Sequence, residues 1–420
     1  MRPSDENGTY KAGAGPKTIQ HDRFTWLAYG MLGYYSYMQV SLGPSMPFLR
    51  SEHKLNYTEG SLHLSAFAVG MIVAGLVADR LERRLGRYLV WWGGALGMGL
   101  GTLLLMLAEP TVLTLAATLL MGSAGSLLLV AIQAGLADRH GENRAVALTE
   151  SNVIASLTAI LAPLMVGSLE SLGLGWRSAI GLSVVLMLAA FLLFRKIPIP
   201  AKPPAEPARL GREDGANPDQ RLPLAFWAYW FAIVFGVACE WCMSFWSTDY
   251  LITQAGLSQT SAATLLSLFF IAMFFGRIGG SYLVRRFETG RLILIAIAIA
   301  GVGFPFFWLV PNPALKIAGL FVVGLGIANF FPLVLSAATG TAPALAGTAS
   351  SRIALGAGTA ILTAPLVLGW TGDQLGLVKA FGVFPVCLAL VLAATVVALR
   401  ANPRLAKAAS VAAQEPTPCQ

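Results

Sequence analysis

Charge is scarce in this chain: Asp, Glu, Lys and Arg together make up 12% of its 420 residues, against roughly 25% in soluble proteins. So little charge cannot cover a water-facing surface of this size. An ordinary soluble enzyme, a DNA-binding domain and a disordered scaffold are therefore excluded. Histidine and cysteine are also rare, with four of each. Cys239 and Cys242 form a C-x-x-C inside an apolar run, without a thioredoxin-like setting or further zinc ligands, and read as small packing residues. Cys387 lies in another apolar run and Cys419 in the tail, which leaves no disulfide framework. No H-E-x-x-H, nucleophile elbow or ATPase module is present. Gly13-Ala14-Gly15-Pro16-Lys17-Thr18 lacks the glycine before lysine and the preceding strand of a phosphate loop. No metal, cofactor or enzymatic activity is expected. The first 22 residues have no apolar core, so they do not form a secretory signal.

What fills the chain instead is apolar sequence: 56% hydrophobic residues. Twelve runs are long enough to cross a bilayer, which takes about 20 mostly apolar residues. They lie near 25–49, 60–79, 88–108, 111–136, 146–169, 177–197, 222–249, 259–284, 291–310, 314–338, 347–370 and 376–400. Backbone groups in lipid must be satisfied within the segment, so the runs are helices; uniform stretches such as Gly181 to Leu193 lack the alternation of barrel strands. The segment 198–221 is rich in Pro and charge and reads as a solvated linker. The expected organisation is a tail (1–23), a six-helix bundle (24–197), the linker (198–221), a second six-helix bundle (222–400) and a tail (401–420). Net charge is +8. The basic residues sit in short loops, which points to lipid headgroups and not to nucleic acid. With both termini on the cytoplasmic side, 22 of the 29 Lys and Arg residues fall inside and 5 outside, while Arg277 and Arg352 lie within spans. That bias predicts an even span number and a multi-pass protein of the cytoplasmic (inner) membrane.

The two halves repeat. A shift of 202 residues places Ala162-Pro163-Leu164-Met165-Val166-Gly167 on Ala364-Pro365-Leu366-Val367-Leu368-Gly369, Gly122 on Gly324, and Arg177 on Lys379. Parallel repeats of this kind, joined by a central linker, occur in one large transporter class, with the binding site where the halves meet. After the second run the chain reads Gly75-Leu76-Val77-Ala78-Asp79-Arg80 and then Leu85-Gly86-Arg87. This resembles the G-x-x-x-D-R-x-G-R-R loop of the major facilitator superfamily, with four extra residues before the glycine and Tyr88 in place of the last basic residue. The counterpart at Gly280 to Arg286 lacks the acid, Gly175-Trp176-Arg177 also resembles the family, and residues 162–167 match its antiporter signature in part. The resemblance spans about 24 to 400. It implies two pseudo-symmetric six-helix bundles that rock about a central cavity in alternating access.

Charges inside the spans are costly in lipid and need a role. Glu240, in the middle of the seventh run, is the candidate proton-coupling carboxylate; the competing role is a structural ion pair or hydrogen bond between helices. Gln39, Tyr35, Trp241, Asn152, Asn329 and Arg352 are candidate cavity residues. The family resemblance implies that span five faces eight, and two faces eleven. A cytoplasmic gate of Asp79, Arg80, Glu150, Arg277 and Arg352 is then expected, with Glu150 and Arg277 latched when the cavity faces outward. His63, in the outer part of span two, is a second possible proton group or a structural residue. Pro163, Pro305, Pro332 and Pro365 are expected to kink their helices.

The expected function is secondary active transport of a small organic molecule by a monomer, coupled to protons. An aromatic, charge-poor cavity favours export of an amphipathic compound; proton symport of a sugar or organic acid is the alternative. A non-transporting membrane sensor or enzyme is the rival of another class, and the short loops leave no room for its domain.

Overall fold

The computed structural model describes residues 21–200 and 222–401. Most of the expected tails and of the linker lies outside the described residues. The helices are α1 (Arg23–His53), α2 (Tyr57–Leu85), α3 (Arg87–Leu107), α4 (Thr111–His140), α5 (Arg144–Ser171), α6 (Trp176–Phe194), α7 (Leu224–Ala255), α8 (Gln259–Leu283), α9 (Thr289–Trp308), α10 (Pro313–Ile327), α11 (Phe330–Thr341), α12 (Ala346–Leu375), α13 (Leu377–Ala380) and α14 (Val383–Ala401). They make twelve spans, because α10 with α11 forms the tenth, α12 the eleventh, and α13 with α14 the twelfth. Among the described residues, ten helical stretches qualify as membrane-crossing by length and composition alone. One of them, Thr111–Ser171, has 61 residues. At 1.5 Å per residue it would run about 90 Å, three times a bilayer core of about 30 Å, so it crosses twice. It folds back at the 3-10 turn Gly141–Asn143. The first span escapes a hydropathy criterion because Tyr, Ser, Gln and two prolines interrupt α1.

Helix ends follow local chemistry. Asp22 caps α1, accepting from the Thr25 amide at 2.8 Å. Burial pushes the Asp22 carboxyl up, but hydrogen bonds from Thr25 and Arg139 outweigh it and hold the group below its ordinary value. Asn56 and Glu59 form a reciprocal capping box at the start of α2. Gly86 joins α2 to α3 with φ +81°, a conformation that a side chain would strain. That turn lets Arg87, 3% exposed, pair with Glu82 and with Asp138 at 2.8 Å, and donate to the Pro200 carbonyl at 2.9 Å. The residues that carry the family-like loop thus tie α2, α4 and the start of the linker together.

The tenth span is broken. Pro332 has no N–H to offer the Ala328 carbonyl, four residues back, and the helix stops at Ile327 and restarts at Phe330. The Asn329 amide fills the gap by donating to Gly276 O at 2.7 Å. Pro163, Pro305 and Pro365 remain inside continuous helices.

The repeat is visible in the packing. In the first half α2 packs on α4 and α1 on α5; in the second α8 packs on α10 and α7 on α12. A Cβ on Gly122 would lie 2.0 Å from the Phe67 carbonyl oxygen, and one on Gly324 would lie 2.6 Å from that of Phe269. Phe67 and Phe269 stand at the same 202-residue shift as the two glycines. The halves meet where α5 packs on α8 and α2 on α12, with α1 against α7 between them.

Candidate functional site

One end of the seam between the halves is shut. Gly43 of α1 lies so close to α7 that a Cβ would sit 2.5 Å from the Ser244 carbonyl. Further along the same helix, Arg50 of α1 pairs with Asp249 of α7 at 2.5 Å. Asp249 is 5% exposed and Arg50 lies over the Tyr57 ring at 3.8 Å. Asp373 of α12 accepts from the amides of Tyr57 and Thr58, both at 2.8 Å, and so caps α2 from the opposite half. Gly167 of α5 against Thr264 of α8 completes the closure. At the other end the ion pairs among the described residues stay within one half: Asp22 with Arg139, His21 with Glu150, and Arg87 with Glu82 and Asp138.

Below the closed end is a cavity of about 330 Å³ lined by α1, α2, α4, α5, α7 and α8. Glu240 projects into it from α7. Its charged neighbour is Arg277 of α8, with nitrogen and oxygen 3.9 Å apart, beyond hydrogen-bonding distance. Arg277 also donates to Ser156 Oγ of α5 at 3.2 Å, across the seam, and to the freed Ala328 carbonyl at 3.5 Å. The broken tenth span therefore supplies an acceptor that helps aim the guanidinium. Tyr35, Trp241, Phe245, Phe270 and Phe274 give the cavity an aromatic wall, while Gln39, Gln133, Asn152, Ser156 and Ser244 add neutral polar groups. Such a chamber can hold an organic molecule against a carboxylate and a guanidinium that are loosely paired. Among the described residues there is no group of three or more metal ligands.

Of the residues singled out from sequence, Glu240, Tyr35, Gln39, Trp241, Asn152 and Arg277 line this cavity. Asn329 lies outside it, bound to Gly276 O at the helix break. Arg352 is exposed on α12, and its carbonyl accepts from the Trp230 indole at 2.8 Å. Glu150 binds His21 at 2.6 Å and the Tyr29 hydroxyl at 2.7 Å, not Arg277. Asp79 pairs with Arg83, one helical turn on, and Arg80 is exposed. His63 is buried, with one ring nitrogen 2.9 Å from Glu59 O and the other 2.8 Å from Thr114 Oγ1, the bonding of a structural histidine. Sequence reasoning missed Arg50, Asp249, Asp373 and Gln133. Arg50 and Asp249 close two apolar runs with opposite charges, and that signal could have paired them.

The Major Facilitator Superfamily model matches residues 25–353. An uncharacterised MFS-type transporter of Yersinia pestis is 26% identical over 370 residues, covering 86% of this chain and 91% of that one. Among solved structures, a bacterial homologue of the human lysosomal transporter Spinster, in an inward-facing and unoccupied conformation, has a TM-score of 0.67 at 15% identity and covers 92% of this chain and 99% of its own. A point mutant of the nucleoside transporter NupG has a TM-score of 0.68 at 13% identity, covering 89% and 99%.

Proposed function

Because the chain belongs to the major facilitator superfamily of membrane transporters, we propose that it moves a small organic molecule by alternating access, driven by protons that load and leave at Glu240. The observation that carries this reading is the position of Glu240: a carboxylate in the chamber between the halves, 3.9 Å from one guanidinium. Protonation of Glu240 releases Arg277 and removes a charge from the cavity. Deprotonation restores the attraction. Either change alters what the cavity can hold, and so couples proton movement to substrate movement.

The Arg and Lys bias orients the protein in an inner membrane with both termini cytoplasmic. The end closed by Arg50 and Asp249 is then extracellular, and this conformation is inward-facing. In the outward-facing state Glu150 leaves His21 and Tyr29 and latches to Arg277, while Asp79 approaches the start of α12. Arg80 and Arg352 belong to the same cytoplasmic gate. Gln39, Tyr35, Trp241 and Asn152 contact substrate; Asn329 and Arg352 come within its reach as the second half rocks. The transporter works as a monomer.

Export of an amphipathic compound is the first reading, supported by the aromatic wall. Proton-coupled uptake of an organic acid is the second, supported by Arg277 in the cavity. A screen in proteoliposomes with an imposed pH gradient decides between them. Amphipathic compounds moved against the proton gradient support export; organic acids carried with protons support uptake. Transport of both kinds without any pH dependence overturns proton coupling.

A further inference from the structure

A second, larger cavity lies away from the seam. It is a groove of about 1540 Å³ between α1, α5 and α6, on the flank of the first half. That exceeds the roughly 300–1,000 Å³ of a typical small-molecule pocket. Its α6 wall is apolar and open to the surroundings, with Leu182, Leu186 and Leu193 all exposed. On the α1 side the groove runs over Gly30, where a Cβ would meet nothing within 4 Å. A larger residue would fit there, so the missing side chain leaves depth that this fold does not need for packing.

The mouth of the groove is charged. Asp22, Arg23, Asp138, Arg139 and Lys196 line it. Asp22 pairs with Arg139 at 2.5 Å, and Asp138 shares Arg87 with Glu82, lying 2.8 Å from it. Arg23 and Lys196 are left without an ion-pair partner among the described residues, and the three basic against two acidic lining residues leave the mouth one positive charge in excess. Trp26, 59% exposed, stands beside them, as indole rings do at the membrane–water boundary.

We propose that this groove binds a phospholipid of the cytoplasmic leaflet, an acyl chain lying along Gly30 and α6 and an anionic headgroup held by Arg23 and Lys196. The leaflet rests on the orientation proposed above. A long apolar trough with a cationic, aromatic-flanked mouth at headgroup depth matches a chain with a negative end. The cytoplasmic leaflet supplies such lipids. The bound chain fills the space between α1 and α6, two helices that must keep their spacing while the halves rock.

Native mass spectrometry of the full chain in detergent tests this, with phosphatidylglycerol and phosphatidylcholine of identical acyl chains as probes. Each cation near a headgroup contributes about fivefold in affinity. The wild type is expected to retain phosphatidylglycerol over phosphatidylcholine by about 25-fold. Arg23→Ala with Lys196→Ala abolishes that preference but keeps weak binding of both lipids. Gly30→Phe and Gly30→Leu, which obstruct the acyl chain's path over α1, lose most of both, while Gly30→Ala retains them. Equal retention of the two lipids by the wild type, unchanged lipid in Gly30→Phe and Gly30→Leu, or retention of the transported compound in place of phospholipid would each overturn the assignment. Binding in detergent is blind to orientation and to proton coupling, so failure here leaves the transport reading untouched.

Discussion

Removing the charge of Asp249 should open the end of the molecule that Arg50 now closes. In Asp249→Asn the Arg50 guanidinium stays buried without its counter-charge. Breaking a buried ion pair from one side costs about 3–5 kcal/mol. Arg50 keeps two other partners, the Tyr57 ring at 3.8 Å and the Asn56 carbonyl at 3.3 Å, so the low end applies. About 3 kcal/mol corresponds to a shift of about 10²-fold in the equilibrium between the two faces, away from the conformation seen here. Ser244 reports the shift, since it lines the cavity at the Gly43 crossing itself. In intact cells Ser244→Cys should resist a membrane-impermeant thiol reagent when Asp249 is present and react when Asn replaces it. Exchanging the two charges, Arg50→Asp with Asp249→Arg, should restore much of the protection. Unchanged reactivity of Ser244→Cys in the Asp249→Asn background would show that the pair does not hold the halves together, and the assignment of a closed end would fail.

Other outcomes follow from the same geometry. Charge reversal at Glu150 or Arg277 alone should keep the cytoplasmic end open, read as reactivity of Asn152→Cys toward a thiol reagent in inside-out vesicles, and the double reversal should restore protection; failure of rescue counts against the proposed cytoplasmic latch. Gly122→Val or Gly324→Val drives a branched side chain into a carbonyl already 2.0 or 2.6 Å from the added Cβ. Overpacking of this kind costs about 1–3 kcal/mol or more, so a fall in the melting temperature of the detergent-solubilised protein is expected. At Gly279, where a Cβ meets nothing within 4 Å, the same change should leave it nearly unaltered.

The bilayer makes much of the fold legible in the amino-acid sequence. Spans must be long and apolar, loops must be short, and the duplicated sequence keeps its spacing, so the 202-residue shift that aligns Gly122 with Gly324 also aligns the carbonyls they pack on. Depth along a span is readable too, which is why Glu240 and Arg277 stand out. Azimuth and partner are not. Asn329 and Arg352 have depths that suit a cavity, yet the break after Ile327 turns Asn329 toward Gly276, and Arg352 sits on an exposed part of α12. Asp249 stands at the end of its run with nothing local to mark its partner, because Arg50 lies 199 positions away. Glu150 and Arg277 show a further limit: depth suggests they could pair, but here Glu150 is bound by His21 and Tyr29 and Arg277 by Ser156 and the Ala328 carbonyl.

The proposed mechanism rests on Glu240, and one variant tests it most directly. With the compound found by the screen, Glu240→Gln protein in proteoliposomes should exchange labelled for unlabelled substrate across the membrane while failing to accumulate or extrude it under an imposed pH gradient. Gradient-driven transport by Glu240→Gln at the wild-type rate would contradict proton coupling at this carboxylate.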